Sequence, residues 1–183
     1  MAKYPVVVYG ASGYTGMLIM DWLIDQQIPF TAVARNAKRV QEMMAERVVR
    51  LESATYEIIE AEHNVAALTQ AFKGARVVCN TVGPFVNFGL TTVEAALEAG
   101  CHHIDTTGEQ GYIRSVRDRF GDLYAQAGLL VAPSTAYMYT FAEIAAELAR
   151  VGAVGDARRG DRERASLVAH PTSTRVPPSA ADR

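Results

Sequence analysis

The sequence is poor in the features that mark several large classes of protein. Its 183 residues include only two cysteines, Cys79 and Cys101, which are too few for a disulfide framework and suit a reducing compartment. No apolar run reaches the ~18 residues that a transmembrane helix needs, and the N-terminus lacks the pattern of a secretory signal peptide. These absences predict a cytoplasmic protein without an integral membrane segment.

A strong charge of either sign is also missing. The formal net charge is −2, from 18 basic and 20 acidic side chains. A nearly neutral chain has no general attraction to nucleic acid or to acidic membranes. We therefore expect a small-molecule substrate as partner and no nucleic acid.

Aromatic residues are missing from the C-terminal part of the chain. The one Trp, eight Tyr and six Phe all lie at or before Phe141, and residues 151–183 contain six arginines but no lysine. Such a segment buries too little apolar surface to offset the entropy of ordering it. We predict a domain over residues 1–150, ending in a helix from Phe141 to about Arg150, and a polar, disordered tail over residues 151–183.

The first 150 residues alternate between short apolar runs and helical patterns. Glycines at positions 74, 100 and 128 each follow a helical stretch, where glycine supplies a left-handed position at little cost. Strands that alternate with helices at this spacing predict βαβ units and hence an α/β fold with a doubly wound parallel sheet of the Rossmann type. Six strands are predicted, beginning near Pro5, Phe30, Tyr56, Val77, Cys101 and Leu129.

Several helix starts can be predicted from capping residues. Asn64 precedes an apolar stripe that ends at Phe72 and is a suitable N-cap. Thr91 and Thr107 are each followed three residues later by Glu or Gln, which is the capping-box pattern. We therefore predict helices that begin near these three residues.

A glycine-rich turn separates the first strand from the first helix. Gly10 permits a tight exit from the strand, Gly13 lets the backbone approach a pyrophosphate, and Gly16 allows close packing of helix on strand. The free N–H groups and positive dipole end of the helix attract the anion, and Ser12 and Thr15 can add hydroxyl donors. The GxxGxxG spacing is one residue longer in its first step than the dinucleotide-binding fingerprint. The alternative is a packing turn without a ligand.

Arg35 stands where an NAD enzyme usually carries Asp or Glu, at the end of the second strand and nineteen residues after Gly16. Lys38 and Arg39 follow, and no acidic residue occurs in this segment before Glu42. A guanidinium binds a 2′-phosphate through charge-assisted, bidentate hydrogen bonds. The segment predicts NADP(H) rather than NAD(H); the alternative is that these cations only solvate the start of the second helix.

Two later segments are expected at the edge of the sheet where ligands bind. Thr81–Phe85 follows the fourth strand, and its Gly83–Pro84 turn lets the backbone lie close to a cofactor, unless it is only a loop. Asp105 and Glu109 follow the fifth strand and could transfer protons or orient a nicotinamide. The alternative is structural, with Asp105 and Thr107 capping a helix and Glu109 favouring its positive end.

No complete set of catalytic residues is apparent. Cys101–His103 has no second ligand pair at metal-site spacing, so no metal site is predicted. The three lysines, Lys3, Lys38 and Lys73, have no Tyr four residues earlier, which excludes proton transfer by a Tyr-x-x-x-Lys pair. The sequence thus indicates a cofactor site and leaves the catalytic residues unknown.

Three segments together resemble the saccharopine dehydrogenase-like oxidoreductases, a family that includes saccharopine reductases and trans-acting enoyl reductases. These segments are Val8–Gly16, Asn80–Gly89 and Glu94–Glu109, within a resemblance that covers about residues 5–135. The resemblance implies an NADP(H)-binding Rossmann domain with the glycine turn at the pyrophosphate and Thr81–Phe85 beside the cofactor. With Arg35, the expected cofactor-binding residues are Gly10, Ser12, Gly13, Tyr14, Thr15, Gly16, Arg35, Thr81, Gly83, Pro84 and Phe85.

The C-terminal part departs from the family. A second mixed α/β domain usually follows the last Rossmann strand, closes over the nicotinamide and builds the substrate pocket. Here Ser134–Phe141 replaces the usual connecting segment, and only one helix and the polar tail follow. We expect a truncated or frameshifted chain; the alternative is a natural disordered extension.

Two functions are compatible with this pattern. The first is an NADP(H)-dependent oxidoreductase domain that lacks its substrate domain and is inactive alone. The second is a non-catalytic NADP(H)-binding module that acts as a sensor or as one part of an assembly. An apolar surface left exposed by the missing domain would favour a homo-oligomer.

Overall fold

The computed structural model describes the backbone over residues 1–48 and 50–168. The strands in this part of the chain are β1 (Val6–Tyr9), β2 (Phe30–Ala34), β3 (Tyr56–Glu60), β4 (Val77–Asn80), β5 (His102–Asp105) and β6 (Val131–Ala132). The α-helices are α1 (Tyr14–Asp25), α2 (Ala37–Arg47), α3 (Val65–Phe72), α4 (Phe85–Glu98), α5 (Gln110–Gln126) and α6 (Tyr137–Val168), and a short 3₁₀ helix covers Leu51–Ser53.

The six strands form one sheet in the order β3-β2-β1-β4-β5-β6, and every neighbouring pair is parallel. This confirms the predicted doubly wound α/β fold. The strand order reverses at β1, which pairs with β2 on one side and β4 on the other. Ligands of such sheets bind outside the carboxyl ends of the strands at this point of reversal.

The strand β1 is buried on both faces, which explains its continuous apolar run. Val7 and Tyr9 belong to one core cluster, together with Phe72 of α3. Val8 points to the other face and belongs to a second cluster with Met20 of α1. The end of β1 is therefore fixed from both sides, and so is the turn that follows it.

The helix α4 begins earlier than its sequence predicts. It starts at Phe85, so the predicted start at Thr91 is wrong and Thr91 lies inside the helix. The first backbone N–H groups of α4 are satisfied by a distant side chain, Glu109, rather than by a local cap. Gly89 lies within this helix, where only glycine fits, because a Cβ at that position would overlap the ring of Tyr112.

The helix α5 begins later than predicted. Its N-cap is Glu109 and its first residue is Gln110, so Thr107 is not the N-cap. Instead, the Thr107 hydroxyl accepts a hydrogen bond from the Glu109 N–H group at 3.1 Å. The capping-box prediction was therefore wrong in position by two residues, although Thr107 does support this turn.

The chain divides into two compact units after Thr140. The helix α6 runs to Val168, beyond the end predicted near Arg150, in a stretch rich in alanine, arginine and glutamate, which favour helices. Residues 169–183 lie outside the described residues, so the disordered tail stays a prediction. Over the described residues, no helix combines the length and apolar character that crossing a membrane demands.

Candidate dinucleotide-binding site

A cleft of about 490 Å³ opens where the strand order reverses. The residues around it come from the carboxyl ends of four strands. The turn after β1 contributes Tyr9, Gly10, Ser12 and Gly13; β2 and the start of α2 contribute Ala34, Arg35, Asn36 and Arg39; the segment after β3 contributes Glu62 and His63; and the segment after β4 contributes Thr81, Val82, Gly83 and Phe88.

The three glycines of the turn have different structural constraints. Gly10 has a φ of +89°, and a Cβ there would lie 2.5 Å from the Thr81 Oγ1 atom. A Cβ at Gly16 would overlap the Gly10 carbonyl oxygen. Gly13 has an ordinary extended backbone, and its Cβ would meet only the Gly10 carbonyl oxygen, at 3.2 Å. The fold therefore requires glycine at the first and third positions more strictly than at the second.

The N-terminus of α1 carries no capping side chain. Gly13 is its N-cap residue and has no side chain to accept a hydrogen bond. By contrast, Asn36 caps α2 through the N–H group of Arg39, and Asn64 caps α3 through that of Ala67, which confirms the predicted N-cap. In the part of the chain that the structure describes, no acceptor meets the N–H groups at positions 14–16. These donors are available to an anion at the cleft.

Two arginines give the cleft a cationic side. Arg35 and Arg39 both line it, and neither forms an ion pair with another described side chain. Lys38, the third cation of this segment, lies outside the cleft lining, and its Nζ atom is 3.7 Å from Glu42.

Carboxylates reach the same region from β3. Ala34 of β2 pairs with Glu60 of β3. The Glu60 Oε2 atom accepts a hydrogen bond from the Ala37 N–H group at 2.9 Å, at the N-terminus of α2. Glu62 is exposed and lines the cleft. The side of the cleft formed by β2 and β3 therefore contains both signs of charge.

His63 is also in the cleft, between two aromatic rings. The Tyr9 hydroxyl oxygen lies 2.7 Å from His63 Nδ1, and the two rings are nearly parallel. Phe88 approaches the His63 ring edge to face, with ring centroids 5.1 Å apart. Burial, and to a smaller extent the positive charge of Arg35, lowers the pKa of His63, while burial raises the pKa of Tyr9 to about 12.

The segment after β4 has one part in the cleft and one part in the core. The Thr81 hydroxyl donates to the Tyr9 carbonyl oxygen at 2.9 Å, which fixes the end of β4 to the end of β1. Thr81 and Gly83 line the cleft. The Gly83–Pro84 peptide bond is cis, and Phe85 is buried against the Tyr112 ring at 5.7 Å between centroids.

Asp105 is engaged in holding the fold. Its Oδ1 atom accepts hydrogen bonds from the N–H groups of Thr107 and Ser134, each at 3.0 Å, and its Oδ2 atom accepts one from the Tyr112 hydroxyl at 2.8 Å. The side chain is 1% exposed, and burial raises its pKa although these three bonds lower it. This arrangement favours the structural interpretation over proton transfer.

Glu109 has a structural role of the same kind. Its two carboxylate oxygens accept hydrogen bonds from the N–H groups of Phe85 and Val86, at 2.8 and 2.7 Å. A carboxylate at a helix N-terminus is stabilised by the free donors and by the helix dipole. Both acidic residues at this rim therefore serve the protein's own backbone.

The cleft brings together six of the eleven residues expected to bind the cofactor. These are Gly10, Ser12, Gly13, Arg35, Thr81 and Gly83. The other five, Tyr14, Thr15, Gly16, Pro84 and Phe85, do not line it. Glu62 and His63 were not predicted, and the signal that points to them is their position just after a parallel strand next to β2.

Comparison with known proteins agrees with this geometry. Residues 10–146 match the family model described as NAD(P)H-binding. A lipid droplet localized protein of Caenorhabditis elegans is 29% identical over 138 residues, which is 72% of this chain and 32% of that protein. A saccharopine dehydrogenase-like oxidoreductase of Rattus norvegicus is 26% identical over 147 residues, which is 73% of this chain and 34% of that protein.

A Mycobacterium tuberculosis protein named as a trans-acting enoyl reductase is 32% identical over 128 residues, or 69% of this chain and 30% of that protein. The chain thus spans about a third of the length of these curated relatives.

Among solved structures, apo saccharopine dehydrogenase (L-Glu forming) from Saccharomyces cerevisiae superposes with a TM-score of 0.57. It is 17% identical, and the match covers 72% of this chain and 27% of that one, so it shows the fold alone. The chain belongs to the NAD(P)H-binding family of Rossmann domains, and its relatives are the saccharopine dehydrogenase-like oxidoreductases.

Proposed function

We propose that this chain is the NADP(H)-binding domain of a saccharopine dehydrogenase-like oxidoreductase. The observation that carries the proposal is that Arg35 and Arg39, which have no carboxylate partner among the described residues, line the same cleft as the glycine turn. A bound nicotinamide supplies hydride transfer, and the protein supplies binding and orientation.

The pyrophosphate is bound at the open N-terminus of α1. Gly13 leaves room for the anion because its Cβ position meets only one carbonyl oxygen. The uncapped N–H groups of the first turn and the helix dipole attract negative charge, and the Ser12 hydroxyl adds a donor in the cleft. The fold therefore supplies the anion site without a lysine.

The 2′-phosphate is bound on the side of the cleft formed by β2 and β3. Arg35 and Arg39 provide two cations there, and Glu62 is the carboxylate in the cleft lining. Glu60, the other carboxylate in this region, already accepts a backbone hydrogen bond at the start of α2. The charge balance favours NADP(H), because a dianion gains more from two guanidinium groups than a neutral ribose hydroxyl does.

The nicotinamide half lies toward β4, where Thr81 and Gly83 are beside the cofactor. Asp105 and Glu109 are committed to hydrogen bonds with backbone N–H groups, so neither carboxylate is free for proton transfer at this rim. The match covers only about a third of the length of the curated relatives, and we infer that the substrate pocket belongs to the part that this sequence does not span. The substrate is an unsaturated acyl chain or an amino-acid-derived imine, and the domain is cytoplasmic.

A second function is a non-catalytic NADP(H)-binding module. The engagement of Asp105 and Glu109 in hydrogen bonds within the protein favours it. Oxidation of NADPH in the presence of candidate enoyl and imine substrates tests this alternative. Turnover above background by this chain would contradict the non-catalytic alternative.

The cofactor assignment is tested by calorimetric titration with NADPH and NADH. We expect NADPH to bind more tightly. Arg35→Ala should weaken NADPH binding about ten- to a hundredfold, because a hydrogen bond to a charged group contributes ~1.5–3 kcal/mol. Lys38→Ala is the matched control. Because Lys38 pairs with Glu42 outside the cleft lining, this substitution should change the affinity for NADPH little. Equal affinity of the unmodified protein for both dinucleotides would contradict the assignment.

A further inference from the structure

His63 has one ring nitrogen in a hydrogen bond and the other without a partner. Its Nδ1 atom lies 2.7 Å from the Tyr9 hydroxyl oxygen. Its Nε2 atom is buried and has no hydrogen-bond partner among the described residues. The Phe88 ring packs nearly perpendicular to the His63 ring and supplies no conventional acceptor. A buried polar atom without a partner costs stability, so its retention in a ligand cleft calls for an explanation.

The tautomer of His63 follows from the hydrogen-bond inventory. If the Tyr9 hydroxyl donates to Nδ1, the neutral imidazole carries its proton on Nε2, and only that N–H group is left unsatisfied. If Nδ1 donates instead, both the Tyr9 hydroxyl hydrogen and the Nε2 lone pair are left without partners. The first arrangement leaves fewer buried groups unsatisfied. His63 therefore carries an N–H donor that lacks an acceptor among the described residues.

The surroundings of His63 favour an anion as that acceptor. The titratable and charged groups around it are Tyr9 of β1, Arg35 after β2, Arg39 of α2 and Glu62 of its own segment. Burial and Arg35 lower the pKa of His63, which keeps the imidazole neutral in the free protein at neutral pH. A dianion bound to Arg35 would reverse the effect of that cation and favour the imidazolium form.

We propose that His63, positioned by Tyr9, is a third ligand of the 2′-phosphate beside Arg35 and Arg39, and that it takes up a proton from solvent when the phosphate binds. This inference rests on the proposed function of the cleft. Selection for NADP(H) over NAD(H) then depends on pH. The sign follows from linkage: because the bound form holds the extra proton more tightly, NADP⁺ affinity rises as pH falls, and NAD⁺ affinity does not.

The test is calorimetric titration with NADP⁺ and NAD⁺ between about pH 6 and pH 9, in two buffers of different ionisation enthalpy. We expect the affinity ratio of NADP⁺ to NAD⁺ to rise about tenfold toward the acid end, with net proton uptake on NADP⁺ binding only. A tenfold change requires the pKa of His63 to rise by more than about one on binding. The 2′-phosphate itself titrates near about pH 6, so the comparison with a variant is essential.

His63→Gln is the variant that isolates this effect. It should weaken NADP⁺ binding and leave only the pH dependence of the phosphate, while NAD⁺ binding changes little. Tyr9→Phe keeps His63 but removes the hydroxyl that orients it, and should reduce the pH dependence partly. His102→Gln is the matched control, because His102 lies on β5 outside the cleft, where its Nδ1 atom accepts the Leu130 N–H group.

A second readout is the titration of the His63 ring by NMR, which is practical because the chain has four histidines. NADP⁺ should raise the pKa of His63, and NAD⁺ should not. An equal rise with both dinucleotides, or the same pH dependence in the unmodified protein and His63→Gln, would overturn the inference and leave the proposed function intact. Failure of the unmodified protein to bind either dinucleotide would overturn both.

Discussion

Two strand-to-helix junctions at the centre of the sheet differ in whether a side chain caps the first N–H groups of the helix. The strands β1 and β4 are neighbours, and each leads into a helix whose first N–H groups have no partner within the helix. At α4 these groups donate to the Glu109 carboxylate, whereas at α1 the N-cap is Gly13 and no side chain takes its place. The protein thus closes one helix N-terminus with its own carboxylate and leaves the other without a capping side chain, where we propose that an anion from outside binds.

The two junctions also use glycine differently. In the α1 turn, Gly10 and Gly16 bring backbone segments close together, and Gly13 leaves open space at the cleft. In α4, Gly89 makes room for the ring of Tyr112, which is a contact between side chain and helix inside the core. Glycine in these segments is therefore not by itself evidence of a ligand, and the further observation at α1 is that its first N–H groups are uncapped.

The largest expected effect comes from converting the open junction into a closed one. Gly13→Asp places a carboxylate at an N-cap position whose backbone is already extended, with φ −90° and ψ 165°. We expect dinucleotide binding to be lost, because the side chain occupies and repels the pyrophosphate. Stability should exceed that of Gly13→Ala by about 1 kcal/mol, the usual difference between an Asp and an Ala N-cap.

Gly13→Ala is the matched control, since it shares the 3.2 Å approach of the Cβ atom to the Gly10 carbonyl oxygen. Urea unfolding of both variants, beside NADPH titration, separates the effect of capping from that of crowding. Retained NADPH affinity in a folded Gly13→Asp protein would show that the pyrophosphate lies elsewhere.

The converse experiment opens the closed junction. Glu109→Ala removes the acceptor of two N–H groups at the start of α4. We expect the free energy of unfolding to fall by about 2 kcal/mol, because an unsatisfied buried donor costs about 1–3 kcal/mol and water can reach part of this end. Glu109→Gln keeps one acceptor oxygen, so its free energy of unfolding should fall by less than that of Glu109→Ala. Unchanged stability in Glu109→Ala would contradict the role assigned to this carboxylate.

The sequence allowed the sheet to be predicted better than the helix starts. The bounds of β2, β3 and α3 match the predicted segments because their signals are local: apolar runs, alternation and an Asn N-cap. The positive φ values of Gly74, Gly100 and Gly128 likewise confirm the predicted helix ends.

The start of α4 could not be predicted, because its capping carboxylate lies twenty-four residues after Phe85 and reaches it only in the folded sheet. The same limit applies to the cleft. Arg35 belongs to a recognisable position after β2, but Glu62 and His63 enter the site only because β3 lies beside β2. Contacts between strands distant in sequence decide this half of the site.

A buried histidine in β5 is expected to make the stability of the fold sensitive to acid. His103 of β5 is fully buried, neither ring nitrogen has a hydrogen-bond partner among the described residues, and burial lowers its pKa to about 3. The unfolded chain takes up a proton near the ordinary histidine value of about 6.5 and the folded protein does not. Stability should therefore fall as pH drops from about 6.5 toward 3, by at most ~1.4 kcal/mol for each pH step of one.

Unfolding in urea at several pH values measures this slope. His103→Leu, a replacement of similar size that does not titrate, should flatten it. Asp105 lies 3.9 Å from His103 Nδ1, and burial raises the pKa of that carboxyl group, so its own protonation opposes the trend at the acid end. An unchanged slope in His103→Leu would assign the acid response to other groups.

The smallest expected effect concerns the one exposed carboxylate in the open cleft. Glu62→Gln removes a negative charge that faces the cationic side formed by Arg35 and Arg39. Because exposed charges interact by about 0.2–1 kcal/mol, NADP⁺ affinity should rise by no more than about fivefold. Glu46→Gln, on the exposed surface of α2, is the matched control and should leave it unchanged. If Glu62 instead held the ribose 2′-hydroxyl, as acidic residues do in NAD enzymes, Glu62→Gln would weaken NAD⁺ binding, and calorimetry with both dinucleotides distinguishes these results.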